Sequence, residues 1–209
     1  MAEPTVIEVF ADVLCPFAHV GLRTVAARRH ALGRDDVHLR VRAWPLELVN
    51  GAPLDPGHTA EHVADLRAQV APGLFAGFDA GRFPRTSLPA LALAAAAYRA
   101  GDTTGEAVSF ALRDALFEDG QDISAPEVLD AIGRRFGVPV EDEAARASVL
   151  ADWEEGRSRG VKGSPHLFCG TDDVFCPSLH ITRAPGGRAR VEADREVLDR
   201  FLRGCLRAA

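Results

Sequence analysis

Apolar positions along this chain recur at two spacings, and the order in which the spacings alternate outlines a fold. Thr5 to Ala11 is a short β-branched and apolar run, TVIEVFA, and predicts a buried strand. It leads into Asp12-Val13-Leu14-Cys15-Pro16. Pro16 suits the first position of a helix, where its missing N–H costs nothing, so Cys15 falls at or beside the N-cap. The helix carries Phe17, Val20, Val25 and Leu32 and stops near Gly33. From Val37 to Trp44, Val37, Leu39, Val41 and Ala43 alternate with His38, Arg40 and Arg42, which is the period of a strand. Strand, crossover helix and strand make a βαβ unit, expected to be parallel and right-handed.

The pattern changes after Pro45. Asn50 to Gly57 is dense in turn formers and reads as a linker. Between His58 and Gly160 the periodicity is helical, with segments at His58–Val70, Ser87–Ala100, Gly105–Glu118, Pro126–Phe136 and Glu141–Arg159. Ser124 with Glu127 three residues on has the spacing of a capping box. Strand character returns at His166 to Cys169. A turn over Gly170 to Asp173 and a return strand from Val174 to Cys176 complete a hairpin. Asp194 or a neighbour then caps a helix whose apolar face is Val197, Leu198, Phe201, Leu202 and Cys205. No internal repeat is present. The order is βαβ, helices, ββα: a discontinuous α/β unit over residues 1–57 and 161–209, with a helical insertion over 58–160.

Composition narrows what such a fold does. With 209 residues, 47% of them hydrophobic, the chain can bury a real core, and a net charge of -6 argues against nucleic acid as partner. Met1 to Phe10 holds two acids and no base, unlike a secretory leader. The most apolar stretch, Leu88 to Tyr98, falls short of the roughly 20 residues that span a bilayer. A soluble, cytoplasmic protein without membrane partners is expected. Its 4 cysteines are too few for a disulfide scaffold, and no Cys or His pairs have zinc-ligand spacing. Gly186-Gly187 reads as a turn, not a phosphate loop.

Three segments carry chemistry together. Cys15-Pro16-Phe17-Ala18 follows a strand and opens a helix, Trp44-Pro45-Leu46-Glu47-Leu48 ends the second strand, and Val161-Lys162-Gly163-Ser164-Pro165 precedes the hairpin. In this combination the chain resembles the DsbA-like thioredoxin-fold family, in particular its cytosolic FrnE-like branch. The resemblance implies a thioredoxin-like α/β fold with an inserted helical domain. It also implies a cis Pro165 beside the Cys15 thiol, and a Ser164 backbone that pairs with an extended peptide or small thiol. One departure matters: the family's second motif cysteine is Ala18 here. A dithiol enzyme uses that sulfur to resolve the mixed disulfide, and Ala18 has none. The related kappa-class glutathione transferases and 2-hydroxychromene-2-carboxylate isomerases also lack the dithiol, and Ser87 loosely resembles a polar position that they place opposite the thiol.

The resemblance thus implies a monothiol thiol-disulfide oxidoreductase with Cys15 as nucleophile. Pro16, Phe17, Ala18, Ser87, Ser164 and Pro165 would contact substrate. No tightly bound cofactor is expected; a low-molecular-weight thiol such as glutathione or mycothiol would act as co-substrate, on a small thiol or a disulfide-containing partner. Two other readings stand beside it: a thiol-dependent transferase or isomerase, and a silent binding module that forms a homodimer. At the residue level, a helix N-terminus should lower the Cys15 pKa. His19 would tune the thiol or act as a base, the alternative being a surface histidine at a helix start. His166, Cys169 and Cys205 read as structural, whereas Cys176 lies where the return strand runs back toward Cys15. Leu74, Phe75 or Phe78 is expected in the wall of a pocket at that end.

Overall fold

A computed structural model describes residues 5–140, 142–183 and 189–207. Strand β1 (Val6–Ala11) pairs in parallel with β2 (His38–Ala43), joined by helix α1 (Pro16–Ala31). The period-two pattern sets the register: Ile7 lies beside Leu39 and Val9 beside Val41, all buried. On its other side β1 pairs antiparallel with β3 (His166–Cys169), which pairs antiparallel with β4 (Asp172–Phe175). The sheet order is therefore β2-β1-β3-β4.

Between β2 and β3 the described chain is helix, turn and loop. A short α2 (Leu46–Asn50) ends at Gly51 in the left-handed region. Then come α3 (Pro56–Gln69), a 3-10 turn at Ala80–Arg82, α4 (Leu88–Ala100), α5 (Asp102–Phe117), α6 (Pro126–Phe136) and α7 (Glu143–Ser158). Helix α5 is anchored to the sheet through Glu106, which accepts from the Leu39 N–H and pairs with Arg29 of α1. Tyr98 of α4 donates to the Leu39 carbonyl at 2.8 Å. Helix α7 crosses close to Trp44 because Gly156 has no side chain: a methyl there would stand 2.6 Å from the indole ring.

Helix α8 (Arg195–Arg207) closes the described chain. Asp194 accepts from the Val197 N–H at its start, as the sequence predicts. Leu198, Phe201, Leu202 and Cys205 pack with Ile7, Val9, Leu22 and Leu39 in the core of the sheet. A second core joins α3 to α7 and reaches Leu14 and Val20 beneath the start of α1.

The structure departs from the sequence reading in three places. A hairpin of β5 (Leu179–Arg183) and β6 (Ala189–Ala193) forms a separate two-stranded sheet, not anticipated from the pattern. It docks on α3, where Gln69 accepts from the Val191 N–H. The Gly186-Gly187 turn lies outside the described residues. Second, the capping box does not form: Ala125 is the N-cap of α6, and the Ser124 hydroxyl is spent on Asp122 at 2.6 Å. Third, Asp172 and Asp173, read as turn, already belong to β4.

Candidate active site

The candidate site is built where β1 ends. Cys15 has extended backbone angles and caps α1, with Pro16 in the first turn. Its N–H bonds the Asp12 carbonyl, and Asp12 Oδ1 accepts from the Leu14 N–H at 2.8 Å, which folds the four residues into a tight turn. Across the sheet, the loop ahead of β3 reaches the same turn. The Ser164–Pro165 bond is cis, Ser164 Oγ accepts from the Asp12 N–H at 2.9 Å, and the Cys15 thiol donates to the Ser164 carbonyl at 3.2 Å. Gly21 of α1 permits this approach, since a methyl there would lie 3.3 Å from the Pro165 ring. Cys15, Ser164 and Pro165 are thus brought together. Pro16 and Ala18 are buried beside them, while Phe17 is partly exposed with its ring edge-on to His62 of α3 at 5.0 Å.

Beneath the thiol lies a polar cluster that the sequence reading missed. Asp12 is fully buried, and its Oδ2 accepts from the Leu46 N–H at 2.6 Å and from Ser87 Oγ at 3.2 Å. Ser87 therefore gives its hydroxyl proton to Asp12. Its own N–H is held by Glu47 at 2.8 Å, so the WPLEL segment positions the start of α4. Arg113, on the buried face of α5, donates to the Asp12 carbonyl at 3.2 Å and to Ser109. It lies close enough to feel the charges of Asp12 and Cys15. A signal for both residues exists in the sequence. Asp12 ends a buried strand, and Arg113 interrupts the apolar stripe Val108, Leu112, Leu116 of a 3.6-residue period.

Burial governs the charges here. It pushes Asp12 up to about 6 despite its hydrogen-bond donors, and brings Arg113 down to about 10. It also raises the Cys15 thiol above its ordinary value. The Ser164 hydroxyl and the N–H groups of Ala18 and Phe17 work the other way, and the Asp12 carboxylate adds to the rise. The lowered thiol pKa expected from the helix N-terminus is therefore corrected. Cys15 is 3% exposed, and desolvation outweighs the dipole.

His19 does not join the thiol. Its ring is buried against Phe75 and Phe117, and Nε2 pairs with Glu118 Oε1 at 2.7 Å. Nδ1 has no hydrogen-bond partner. Burial brings the His19 pKa down to about 4. Its expected role as base or thiol tuner is replaced by a structural one, tying α1 to the loop that Glu118 also caps at Phe75 and Ala76. Phe75 is correspondingly a core residue under α1 rather than an open pocket wall. Phe78 stacks on Phe117 there, and Leu74 lines a groove of about 580 Å³ between α1 and α8.

His166, next to Pro165, donates through Nε2 to Asp173 and accepts the Lys162 N–H at Nδ1, a structural role as read from the sequence. All four cysteines are free thiols. Cys176 donates its N–H to the Pro165 carbonyl at 2.9 Å and takes a left-handed backbone, φ 47°. Burial and the nearby Cys15 charge push its thiol up to about 12.

Comparison with known proteins places this arrangement in context. A family model described as DSBA-like thioredoxin domain matches residues 6–181. Cytosolic disulfide reductase DsbM from Pseudomonas aeruginosa has a similar structure, at 18% identity and a TM-score of 0.64, over 98% of this chain and 100% of that one. That reductase has also been solved with GSH. A 2-hydroxychromene-2-carboxylate isomerase is similar at 15% identity and a TM-score of 0.62, over 81% of this chain and 88% of the other. The oxidoreductase NmDsbA1 from N. meningitidis follows at 15% identity and a TM-score of 0.51, over 100% and 86%. At these identities the likeness is one of fold. No curated protein sequence matches the chain.

Proposed function

Because the chain belongs to the DsbA-like thioredoxin domain family, we propose that it is a thiol-disulfide oxidoreductase working through one sulfur, Cys15. The observation that carries this reading is the contact of the Cys15 thiol with the Ser164 carbonyl, beside a motif whose fourth residue is Ala18. In the forward step the Cys15 sulfur attacks a substrate disulfide. The substrate S–S bond breaks, one substrate thiol leaves, and a mixed disulfide to Cys15 remains. With Ala18 in the motif, a low-molecular-weight thiol of the glutathione or mycothiol type then attacks that mixed disulfide. It frees Cys15 and carries away the second half of the substrate. Overall, one small thiol and one disulfide become one thiol and one mixed disulfide.

The raised thiol pKa makes substrate binding part of activation. At neutral pH Cys15 rests as a buried S–H donor, so a substrate chain laid along Ser164 and Pro165 must displace that hydrogen bond before the sulfur reacts. The same observation favours a second reading, in which a neutral Cys15 S–H holds the sulfur of a bound small thiol for transfer or isomerisation. Cys15→Ser separates the two. In the monothiol cycle, reduction of a glutathione-capped peptide by the variant falls to background. In the transfer reading the serine hydroxyl replaces the donor, and turnover of an electrophile by glutathione persists. A wild-type protein inactive in both assays would leave a binding module.

A further inference from the structure

Two of the cysteines that the Cys15 site does not use pack in one core at the far end of the sheet. Cys169 ends β3 and is paired in register with Asp172 across a turn at Gly170, φ 60°. Helix α8 is laid against this turn: a methyl at Gly204 would stand 3.1 Å from Asp172 Oδ2. The next residue, Cys205, is 3% exposed and packs in the same core as the Cys169 side chain. The two side chains belong to that one core, and each thiol perturbs the other. Cys169 is half-buried, whereas Cys205 is enclosed.

The pair is asymmetric. The Cys205 side chain brings the Cys169 thiol below its ordinary value, against an opposing effect of burial. Cys205 is itself pushed far up, first by Cys169 and then by burial. A half-exposed sulfur that ionises more readily, with an enclosed second thiol packed in the same core, is the arrangement of an attacking and a resolving cysteine. The register places Phe10 beside His166 at the Cys15 end of β3, and Glu8 beside Phe168 one step before Cys169. At about 3.3 Å per residue, the length of β3 separates this pair from Pro165.

We propose that Cys169 and Cys205 form a second redox site, a dithiol that small disulfides oxidise to an internal bridge. The Cys169 thiolate attacks one sulfur of a small disulfide, whose S–S bond breaks, and the first small thiol leaves after taking a proton from water. Cys205 then attacks the Cys169 sulfur and gives up its own proton, and the second small thiol leaves. The protein loses two electrons and the small disulfide gains them, so one dithiol and one disulfide yield one bridge and two thiols. Two small thiols reverse the process. The bridge ties α8 to β3, and the site is independent of Cys15.

The test uses the full-length protein with oxidised glutathione as probe, followed by acid quench, alkylation and peptide mass spectrometry. In wild type and in Cys15→Ala alike, the peptides of Cys169 and Cys205 should become linked, with the loss of two hydrogens, and escape alkylation together. Cys205→Ala should stop at a glutathione adduct on Cys169. Before oxidation, Cys169 should alkylate more than about tenfold faster than Cys205. Because Cys205→Ala removes a core sulfur, a time course on wild type gives a second reading. There the Cys169 adduct should rise and then fall as the bridge appears. The proposal is overturned if both sulfurs remain alkylatable, if the adduct persists on Cys169 in wild type, or if the adduct forms first on Cys205. Loss of the bridge in Cys15→Ala would overturn it as well, since the site would then depend on the other thiol.

Discussion

At one end of β3 the motif sulfur is held by polar groups, and at the other end two sulfurs pack in one core. Cys15 gives its proton to the Ser164 carbonyl above a buried carboxylate and a buried guanidinium, and its motif holds no second thiol. Cys169 and Cys205 have no such buried ion pair beneath them, yet each is the first influence on the other, lowering the outer thiol and, together with burial, raising the inner one. The difference separates two ideas that are easily merged. A sulfur at a helix N-terminus is in the right place for exchange chemistry, but burial decides whether it rests as thiol or thiolate. Cys15 has the position without the low pKa. Cys169 has the lower pKa without the motif.

The sharpest way to press this comparison is to give the Cys15 end its missing partner. Ala18→Cys places a second thiol one helical turn from Cys15, on a buried face. Reduction of insulin by dithiothreitol, followed as turbidity, should accelerate over wild type by on the order of a hundredfold, because the resolving step becomes internal. A variant that folds with native melting behaviour yet gains nothing would mean that the groove, and not the resolving sulfur, is deficient. Oxidation of Cys169 and Cys205 should be unchanged in either case.

What the sequence could reveal of these two ends follows from what is local. The strands β1 and β2, helix α1 and the helical run after Pro56 all announce themselves by period, and Cys15, Ala18, Ser164 and Pro165 by motif. Contacts distant along the chain leave no such mark. Asp12 and Arg113 are 101 positions apart and meet only because α5 packs under the end of β1. Cys169 and Cys205 read as separate strand and helix residues for the same reason. The β5–β6 hairpin escaped because its short strands are fixed by α3 rather than by a long alternating pattern. The thiol pKa was misjudged in direction because the dipole of α1 is written in the sequence while the depth of the sulfur is not. The serine at 124 shows a local competition: Asp122 sits nearer than the helix N–H groups it was expected to cap.

Acid stability probes the buried charges at the Cys15 end and should leave the thiol pair silent. Asp12, pushed up to about 6, binds its proton more tightly folded than unfolded, so its contribution to stability falls as pH rises from about 4.5 to 6.5. His19, brought down to about 4, has the opposite sign: the unfolded chain takes up the proton first, and stability is lost as pH falls through the same window. Asp152 acts with Asp12 and His166 with His19. Urea unfolding of wild type should therefore be nearly flat over this range. His19→Gln should expose the Asp12 slope, a loss of about 2 kcal/mol toward higher pH, and Asp12→Asn should expose the reverse slope. A steep wild-type profile that neither substitution alters would place the titration elsewhere in the molecule.

The smallest expected effect is the most selective between the two ends. Ser87 is fully buried and gives its hydroxyl proton to Asp12 Oδ2 at 3.2 Å, while its N–H remains held by Glu47. Ser87→Ala removes only the first of these, so urea unfolding at pH 7 should show a loss of about 1 kcal/mol. The bond from Ser87 also helps to hold the Asp12 carboxyl down against burial. Without it, Asp12 protonates at higher pH, and the falling limb exposed in the His19→Gln background shifts upward in pH. The carboxylate in turn raises the Cys15 thiol. Between the wild-type and the shifted pKa of Asp12 the Cys15 alkylation rate, normalised to an unfolded cysteine, should rise in Ser87→Ala relative to wild type. Cys169 alkylation should not change, since its neighbours are Cys205 and Asp172 at the other end of β3. If Ser87→Ala altered both thiols equally, the sheet would be transmitting the change, and the two ends would have to be treated as one coupled redox unit.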